Sequence, residues 1–501
     1  MVDTFRHSLS ANGSDLLTKS LHWSDQFWDP ERGLLSIGPP DAENQHAVRG
    51  SVWYALGLLA RDGEGDRARA VQAISVVLDN QWNAPGKDYH GTFRRWPGEP
   101  DPPDPAVVWR DYDPNWRQFI GTTLAIVLDE WSDRLPPDLI RRMDRSIVLA
   151  IEGEPPDRCV PSYTNIALMK AGLMTWAGDR YGRTEWQEEG LAFAQSVYRL
   201  FLVHGAYYEY NSPTYYGVNF YALAFWRRYA CSAELAGMAS AMEAALWRDV
   251  AAYYHADLRN ICGPYTRSYG MDMLQYGALI GLSIWLAVGQ DLAPYPRHEG
   301  YFTHGADFGY GPVLGLVDTE VPSDVLNHLR QFQAERQVER RISSVPDRVA
   351  TAWLGECLML GGESIALNDD DGALRRQLGP QLHPATMHWR TPDGGLGWMR
   401  VRSPGLVSAR AERKRLSITA RRPASEGDDL ASAAHFLLEL KVPGKLTPGS
   451  LSSSRWDLPG LAVNVTSDAG EVEVIDTGLV RKVIYALPAG SGQINLQLDI
   501  L

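Results

Sequence analysis

Residues 204 to 223 read His-Gly-Ala-Tyr-Tyr-Glu-Tyr-Asn-Ser-Pro-Thr-Tyr-Tyr-Gly-Val-Asn-Phe-Tyr-Ala-Leu. Six tyrosines, one glutamate and two asparagines crowd around a Ser-Pro helix start. Each hydroxyl or amide needs a hydrogen-bond partner once it leaves water, so a plain core has little use for so many together. A cleft that grips a polyhydroxylated ligand has such a use, and a phenol can also give and take protons. Ser212 reads as the helix cap and Pro213 as its first residue, which puts Tyr215 and Tyr216 in the first turn. His204, Glu209, Tyr210 and Asn211 precede them as binding candidates.

Three further stretches carry chemistry. Pro161 to Met169 opens a helix with Ser162 or Thr164 as cap, and Asn165 falls in the first turn. There the helix dipole and unpaired N–H groups favour an anion, so Asn165 is a candidate for a substrate carboxylate. In Gly263 to Asp272, Arg267 is charged and Tyr269 titratable, and a nearby arginine favours the phenolate. Asp272 is either a structural partner of Arg267 or a ligand contact. In Trp109 to Trp116, Trp109 suits the face of a sugar ring, while Asp111 and Asp113 suit acid and base roles. The plainer role for Asp113 is to cap a helix begun by Pro114. Asn368 to Gly372 resembles a calcium loop by composition alone and reads as a solvated turn. The histidines form no metal-like pairs, and neither a phosphate loop nor a nucleophile elbow is present. No metal or cofactor is expected.

These stretches need a scaffold, and the first two-thirds of the chain reads as helices. The apolar spacing predicts helices over 48–61, 66–81, 116–131, 137–151, 162–177, 185–203, 213–231, 235–259 and 271–288. Several are apolar nearly all round, as in 274–288, and such helices are covered on both sides. A double ring of inner and outer helices provides that cover, with the inner helices pointing their N-terminal ends at a central cleft. After about residue 342 period-2 runs take over: 397–402, 415–420, 435–441, 461–466, 472–475 and 482–486. Turns such as Pro392-Asp393-Gly394-Gly395 and Pro443-Gly444 separate them, which indicates an antiparallel β-sandwich. The expected architecture is mainly α with β: an α/α toroid over 1–340 followed by a β-sandwich over 341–501.

The formal net charge of −13 disfavours nucleic acid and anionic membrane surfaces as partners. Cys159, Cys231, Cys262 and Cys357 are far apart and read as reduced thiols. Met1 to Ser20 has no apolar run flanked by basic residues, so no secretory signal is expected, and no window has the length of a membrane span. A cytoplasmic protein acting on a small oligosaccharide or another small molecule is the expectation.

Helical hairpins followed by a β-sandwich, with an Asn motif, a Gly-Ala-Tyr-Tyr-Glu…Tyr-Tyr-Gly motif and an Arg-x-Tyr motif in that order, resemble the α/α-toroid polysaccharide lyases. The likeness is to the chondroitin AC and hyaluronate lyase group, and more loosely to heparinase II/III. The resemblance implies that Asn165 neutralises a uronate carboxylate, that Tyr215 or Tyr216 moves protons, and that Arg267 assists the tyrosine. The intervals from 165 to 216 and from 216 to 267 are similar to the family's. The family places a histidine where this chain has Tyr210-Asn211, so His204 or His255 would have to replace it. The leading expectation is β-elimination on a uronic-acid glycoside, with Tyr269 as a further candidate base. Alternatives are an inverting glycoside hydrolase drawing on Asp111, Asp113, Glu209 and Asp272, an isomerase, dehydratase or cyclase of a small metabolite, and a glycan-binding protein without catalysis.

Overall fold

A computed structural model describes residues 9–36, 46–297, 302–365, 381–402, 406–421, 435–442, 446, 449–478, 480–488 and 490–501. The Asn368–Gly372 turn and the Pro443-Gly444 turn lie outside the described residues. The helices are α1 (Ala11–Asp25), α2 (Val48–Arg61), α3 (Asp66–Asp79), α4 (Trp116–Trp131), α5 (Pro137–Glu152), α6 (Thr164–Tyr181), α7 (Thr184–His204), α8 (Tyr216–Tyr229), α9 (Ala233–Tyr253), α10 (Leu279–Val288), α11 (Gly311–Val317) and α12 (Leu326–Arg330). The chain divides into two compact units, one made of Met1–Phe201, Tyr215–Ala244 and Gly277–Glu320, the other of Leu202–Thr214, Ala245–Tyr276 and Val321–Leu501.

In the first unit α2 packs on α4, α4 on α6, α6 on α8, and α8 on α10 and α11, and α11 returns to α2 to close an inner ring. Helices α1, α3 and α5 cover the outside of that ring. Outer α7 joins them through Gly190, where an added Cβ would stand 2.9 Å from the Thr175 nitrogen. A short pair, β1 (Trp28–Asp29) and β2 (Leu34–Leu35), links α1 to α2. The double-ring toroid follows from helices such as α4, of whose residues all but Asp129 and Glu130 are buried. A helix so apolar needs neighbours on every side.

The inner helices run in one direction. At their starts Arg49 lies over the Trp116 ring at 5.3 Å, the Asn115 side-chain amide donates to the Tyr163 hydroxyl at 2.7 Å, and Gly217 abuts the Leu279 backbone. At their ends Arg134 meets Asp62 at 3.3 Å, Trp176 donates to Asp129 at 2.8 Å, and the Tyr229 hydroxyl meets Glu130 at 3.0 Å. The N-terminal turns of α2, α4, α6 and α8 therefore share one end of the ring.

The second unit holds a hairpin, β3 (Tyr254–His255) with β4 (Asn260–Ile261), and two antiparallel sheets. Its longer strands are β5 (Arg336–Ser344), β6 (Asp347–Leu354), β7 (Leu358–Ile365), β8 (Ala385–Arg390), β9 (Leu396–Val401), β10 (Leu406–Glu412), β11 (Arg415–Arg421), β12 (His435–Lys441), β13 (Arg455–Leu458), β14 (Leu461–Ser467), β15 (Val472–Asp476), β16 (Arg481–Ala486) and β17 (Gln493–Ile500). One sheet has the order β15-β16-β12-β9-β8-β7-β6-β5, the other β10-β11-β17-β14-β13. Alternation sets the register: Leu416, Ile418 and Ala420 of β11 face Leu498, Leu496 and Ile494 of β17. Trp389, Phe436 and Leu438 from one sheet and Trp456, Val463 and Leu498 from the other form a common core.

Four local expectations are corrected. Helix α8 begins at Tyr216, with Tyr215 and not Ser212 at the N-cap position. The Ser212 hydroxyl instead donates to the Arg267 carbonyl at 2.7 Å. Helix α6 has Tyr163 at its N-cap and no side-chain cap bond. Asp113 does not cap α4; its carboxylate accepts from the Asn115 N–H at 2.9 Å, and the helix starts at Trp116. Helix α10 starts at Leu279 and not Met271, because Asn260 holds the 271–273 backbone through the Met271 carbonyl and the Met273 N–H.

Candidate functional site

The N-terminal end of the inner ring collects candidates from separate helices. Asn165 is the second residue of α6 and is fully buried. Tyr216 opens α8 and is 1% exposed, while Tyr215 just before it is half-buried. Because α6 and α8 are neighbours running the same way, the amide and the two phenols belong to adjacent first turns. Asn115 and Tyr163 border them, and Arg158 donates to the Asn115 amide oxygen at 2.8 Å. Glu154 holds Arg158 in turn.

Asp111 and Asp113 differ although they are two residues apart. Hydrogen bonds from Arg110 and from the Val107 N–H hold the Asp111 carboxyl down at about 2. Asp113 is desolvated by the protein around it, and this outweighs the Asn115 N–H and the charges of Arg49, Arg158 and Arg95, so its carboxyl lies above the ordinary range. Of two carboxyls, the one whose pKa is raised is the better suited to an acid role. Trp109, in the preceding loop, is 54% exposed, and its carbonyl accepts from Arg95 at 3.3 Å.

In the second unit the tyrosine segment is stitched to the Arg267 loop. Arg267 pairs with Glu209 at 2.8 Å and donates to Gln381 at 3.0 Å. The Asn211 amide donates to the Cys262 and Pro264 carbonyls at 2.7 and 2.8 Å, and the Thr266 N–H donates to the Tyr210 carbonyl at 3.2 Å. Tyr210 is buried against the Tyr253 ring at 5.7 Å. Tyr269 is exposed, and Asp272 accepts from the Leu274 N–H at 2.9 Å with its carboxyl raised by burial. His204 bonds the Ser344 hydroxyl at 3.0 Å. His255 is fully buried, stacked on Phe332 at 4.3 Å with Nε2 on the Gly355 carbonyl, and burial pushes its pKa down.

Two residues that the sequence reading passed over, Arg49 and Asp307, lie with His304, one of the histidines isolated in sequence, at the same end of the ring as Asn165 and Tyr216. Arg49, the second residue of α2, pairs with Asp307 at 3.3 Å, and Asp307 also meets His304 Nδ1 at 3.2 Å. Burial would raise the Asp307 carboxyl, but the His304 bond and the charges of His304 and Arg49 outweigh it and hold the group below the ordinary range. His304 adopts φ +61°, a left-handed conformation uncommon outside glycine, as it turns towards Asp307. The available signal was an arginine in the first turn of a helix, just ahead of the apolar, buried run 52–59, since a charge beside such a run is seldom left without a partner.

Among the described residues no group of three His, Cys, Asp or Glu side chains is arranged to hold a metal, and no helix is long and apolar enough to cross a membrane. A groove of about 600 Å³ beside α3 and α5, lined by Arg142, Arg145 and Tyr181, contains none of the candidates.

Residues 14–319 match a family model described as Domain of unknown function (DUF8769), and residues 333–492 match one described as Domain of unknown function (DUF8770). No curated protein matches the sequence. Among solved structures the chain is similar to heparinase III, at 9% identity over 100% of this chain and 86% of that one, with a TM-score of 0.43. It is also similar to the chondroitin AC lyase of Streptomyces coelicolor A3, at 10% identity over 98% and 80%, TM-score 0.43. A third is the heparan sulfate lyase HepC of Pedobacter heparinus, at 10% identity over 100% and 84%, TM-score 0.33.

Proposed function

We propose that this chain, which belongs to the DUF8769 family, is a carbohydrate-active lyase that cleaves a uronic-acid-containing glycoside by β-elimination. One observation carries the reading: Asn165 and the Tyr215–Tyr216 pair occupy the first turns of adjacent, co-directional helices at one end of the ring. In this reading the Asn165 amide binds the substrate carboxylate and acidifies the C–H beside it. A deprotonated phenol, Tyr216 or Tyr215, takes that proton. The electron pair passes into the carboxylate as an enolate and returns to form a C=C bond as the C–O bond to the leaving sugar breaks. A phenol then protonates the departing oxygen. Stabilising the enolate is the largest demand, and a preorganised amide at a helix start meets it. Arg267, already bonded to Glu209 and Gln381, is assigned to holding the tyrosine segment through its own carbonyl and Ser212. Incubation with glucuronate-containing oligosaccharides tests the reading. New ultraviolet absorbance from a conjugated double bond is expected, and release of reducing sugar without it rejects the proposal.

A second reading, an inverting hydrolase, draws on two carboxyls near Arg49 that are shifted in opposite directions: Asp113 raised by burial, Asp307 lowered by His304 and Arg49. Groups pushed apart in this way divide acid and base roles. Under that reading Asp113→Asn abolishes turnover, whereas Tyr216→Phe leaves it intact.

A further inference from the structure

We propose that Arg49 recognises the substrate's charge: its guanidinium, walled by Trp53, Trp116 and Phe119, shares with the Asn165 amide the carboxylate of a uronic acid. The inference rests on the reading above and adds a specificity residue to it. The guanidinium carbon lies 4.8 Å from the Trp53 ring centroid, 5.3 Å from Trp116 and 5.1 Å from Phe119. Three aromatic rings beside the fork reduce its hydration without closing it off, which suits an arginine for paired hydrogen bonds to a carboxylate. Trp53 is itself held by Tyr310 at 4.3 Å, and Tyr310 by Tyr221 at 5.1 Å, so the wall is rigid.

Arg49 is not used up by its surroundings. A guanidinium has five N–H donors, and among the described residues this one gives a single contact, 3.3 Å to Asp307. Among the described residues no other carboxylate reaches it within ion-pair distance. Its side chain remains 27% exposed. Asp113, a second carboxyl that feels its charge, makes no ion pair with it among the described residues. Asp307, bonded also to His304, steadies the fork from one side and leaves the other donors to a ligand.

The test is calorimetric titration of the full chain with sodium glucuronate and with glucose, its neutral counterpart, for wild type, Arg49→Met and Arg49→Lys. Wild type is expected to bind glucuronate at least about tenfold more tightly than glucose, the yield of one charge-assisted bond. Arg49→Met should lose the preference, and Arg49→Lys should keep part of it, having charge without the fork. Equal binding of the two sugars by wild type, binding of neither, or an unchanged preference in either variant overturns the inference. Should circular dichroism show Arg49→Met unfolded, the wild-type comparison and Arg49→Lys decide. Selective, Arg49-dependent binding without any unsaturated product would count against the lyase reading alone. Unsaturated product formed by Arg49→Met with no rise in KM would count against Arg49 alone.

Discussion

A phenol and a phenyl ring differ by one hydroxyl, so Tyr216→Phe separates chemistry from packing. Tyr216 is buried, and the change should lower stability by about 1 kcal/mol, the worth of one hydrogen bond. As a proton carrier it should lower kcat by about a hundred- to ten-thousand-fold while KM stays nearly constant. Steady-state kinetics beside a melting curve checks both. Asn165→Asp is the complementary change. A carboxylate at this fully buried helix start gains from the dipole but is penalised by desolvation, and it repels a substrate carboxylate. The expected outcome is a loss of at least about a hundredfold in kcat/KM; retained activity would reduce Asn165 to a buried polar residue of α6. At this scale the sequence singled out the polar 204–223 segment, in which Glu209 and Asn211 bond inside the second unit and Tyr216 opens α8. It concealed Arg49 and Asp307, because their meeting depends on α2 lying against the turn that leads into α11, a contact between residues 258 positions apart.

The elements were legible where periodicity is strong. Helices α2 and α4 and strand β12 have the bounds that apolar spacing and alternation predict. Helix α1 went unread because Leu16, Leu17 and Leu21 make a thin apolar stripe among polar residues. Strand β5 went unread because it is an edge strand carrying Arg336, Glu339, Arg340 and Arg341, and charge is how exposed edges are kept from pairing. Close approach of elements makes two predictions. A Cβ on Gly217 would sit 2.4 Å from the Leu279 carbonyl carbon, so Gly217→Ala must push the start of α8 off α10. A loss of about 1–3 kcal/mol in chemical denaturation is expected, together with reduced turnover, since Tyr216 is the adjacent residue. In the second unit Arg348 and Glu363 form a fully buried pair at 2.7 Å, and Arg348 also donates to the Tyr208 carbonyl. Glu363→Ala strands that charge and should cost about 3–5 kcal/mol.

At the scale of the whole chain, local pattern says which segments are helix or strand but not which segments share a core. The two family models break between residues 319 and 333, yet 202–214 and 245–276 group with the strands by proximity. Asp249, in the second of these segments, pairs with Arg340 of β5 at 2.9 Å. Burial outweighs that pairing and lifts its carboxyl to about 6. The folded protein therefore holds a proton that the unfolded chain releases near pH 4 or so. This group's contribution to stability is complete below about pH 4 and is lost as pH rises through about 6, on the order of 3 kcal/mol in all. Denaturation curves at pH 4 and pH 7 should show that slope in wild type and a flatter one in Asp249→Asn; equal slopes would refute the assignment.

Cleavage in water enriched in heavy oxygen, followed by mass spectrometry of the products, goes to the centre of the proposal. β-Elimination by the phenols of α8 takes no oxygen from solvent, so both fragments should be free of the label and one should be a water lighter than its hydrolytic counterpart. Incorporation of heavy oxygen at the new reducing end would mean that water attacked the glycoside, and Asn165 and Tyr216 would lose the roles given to them.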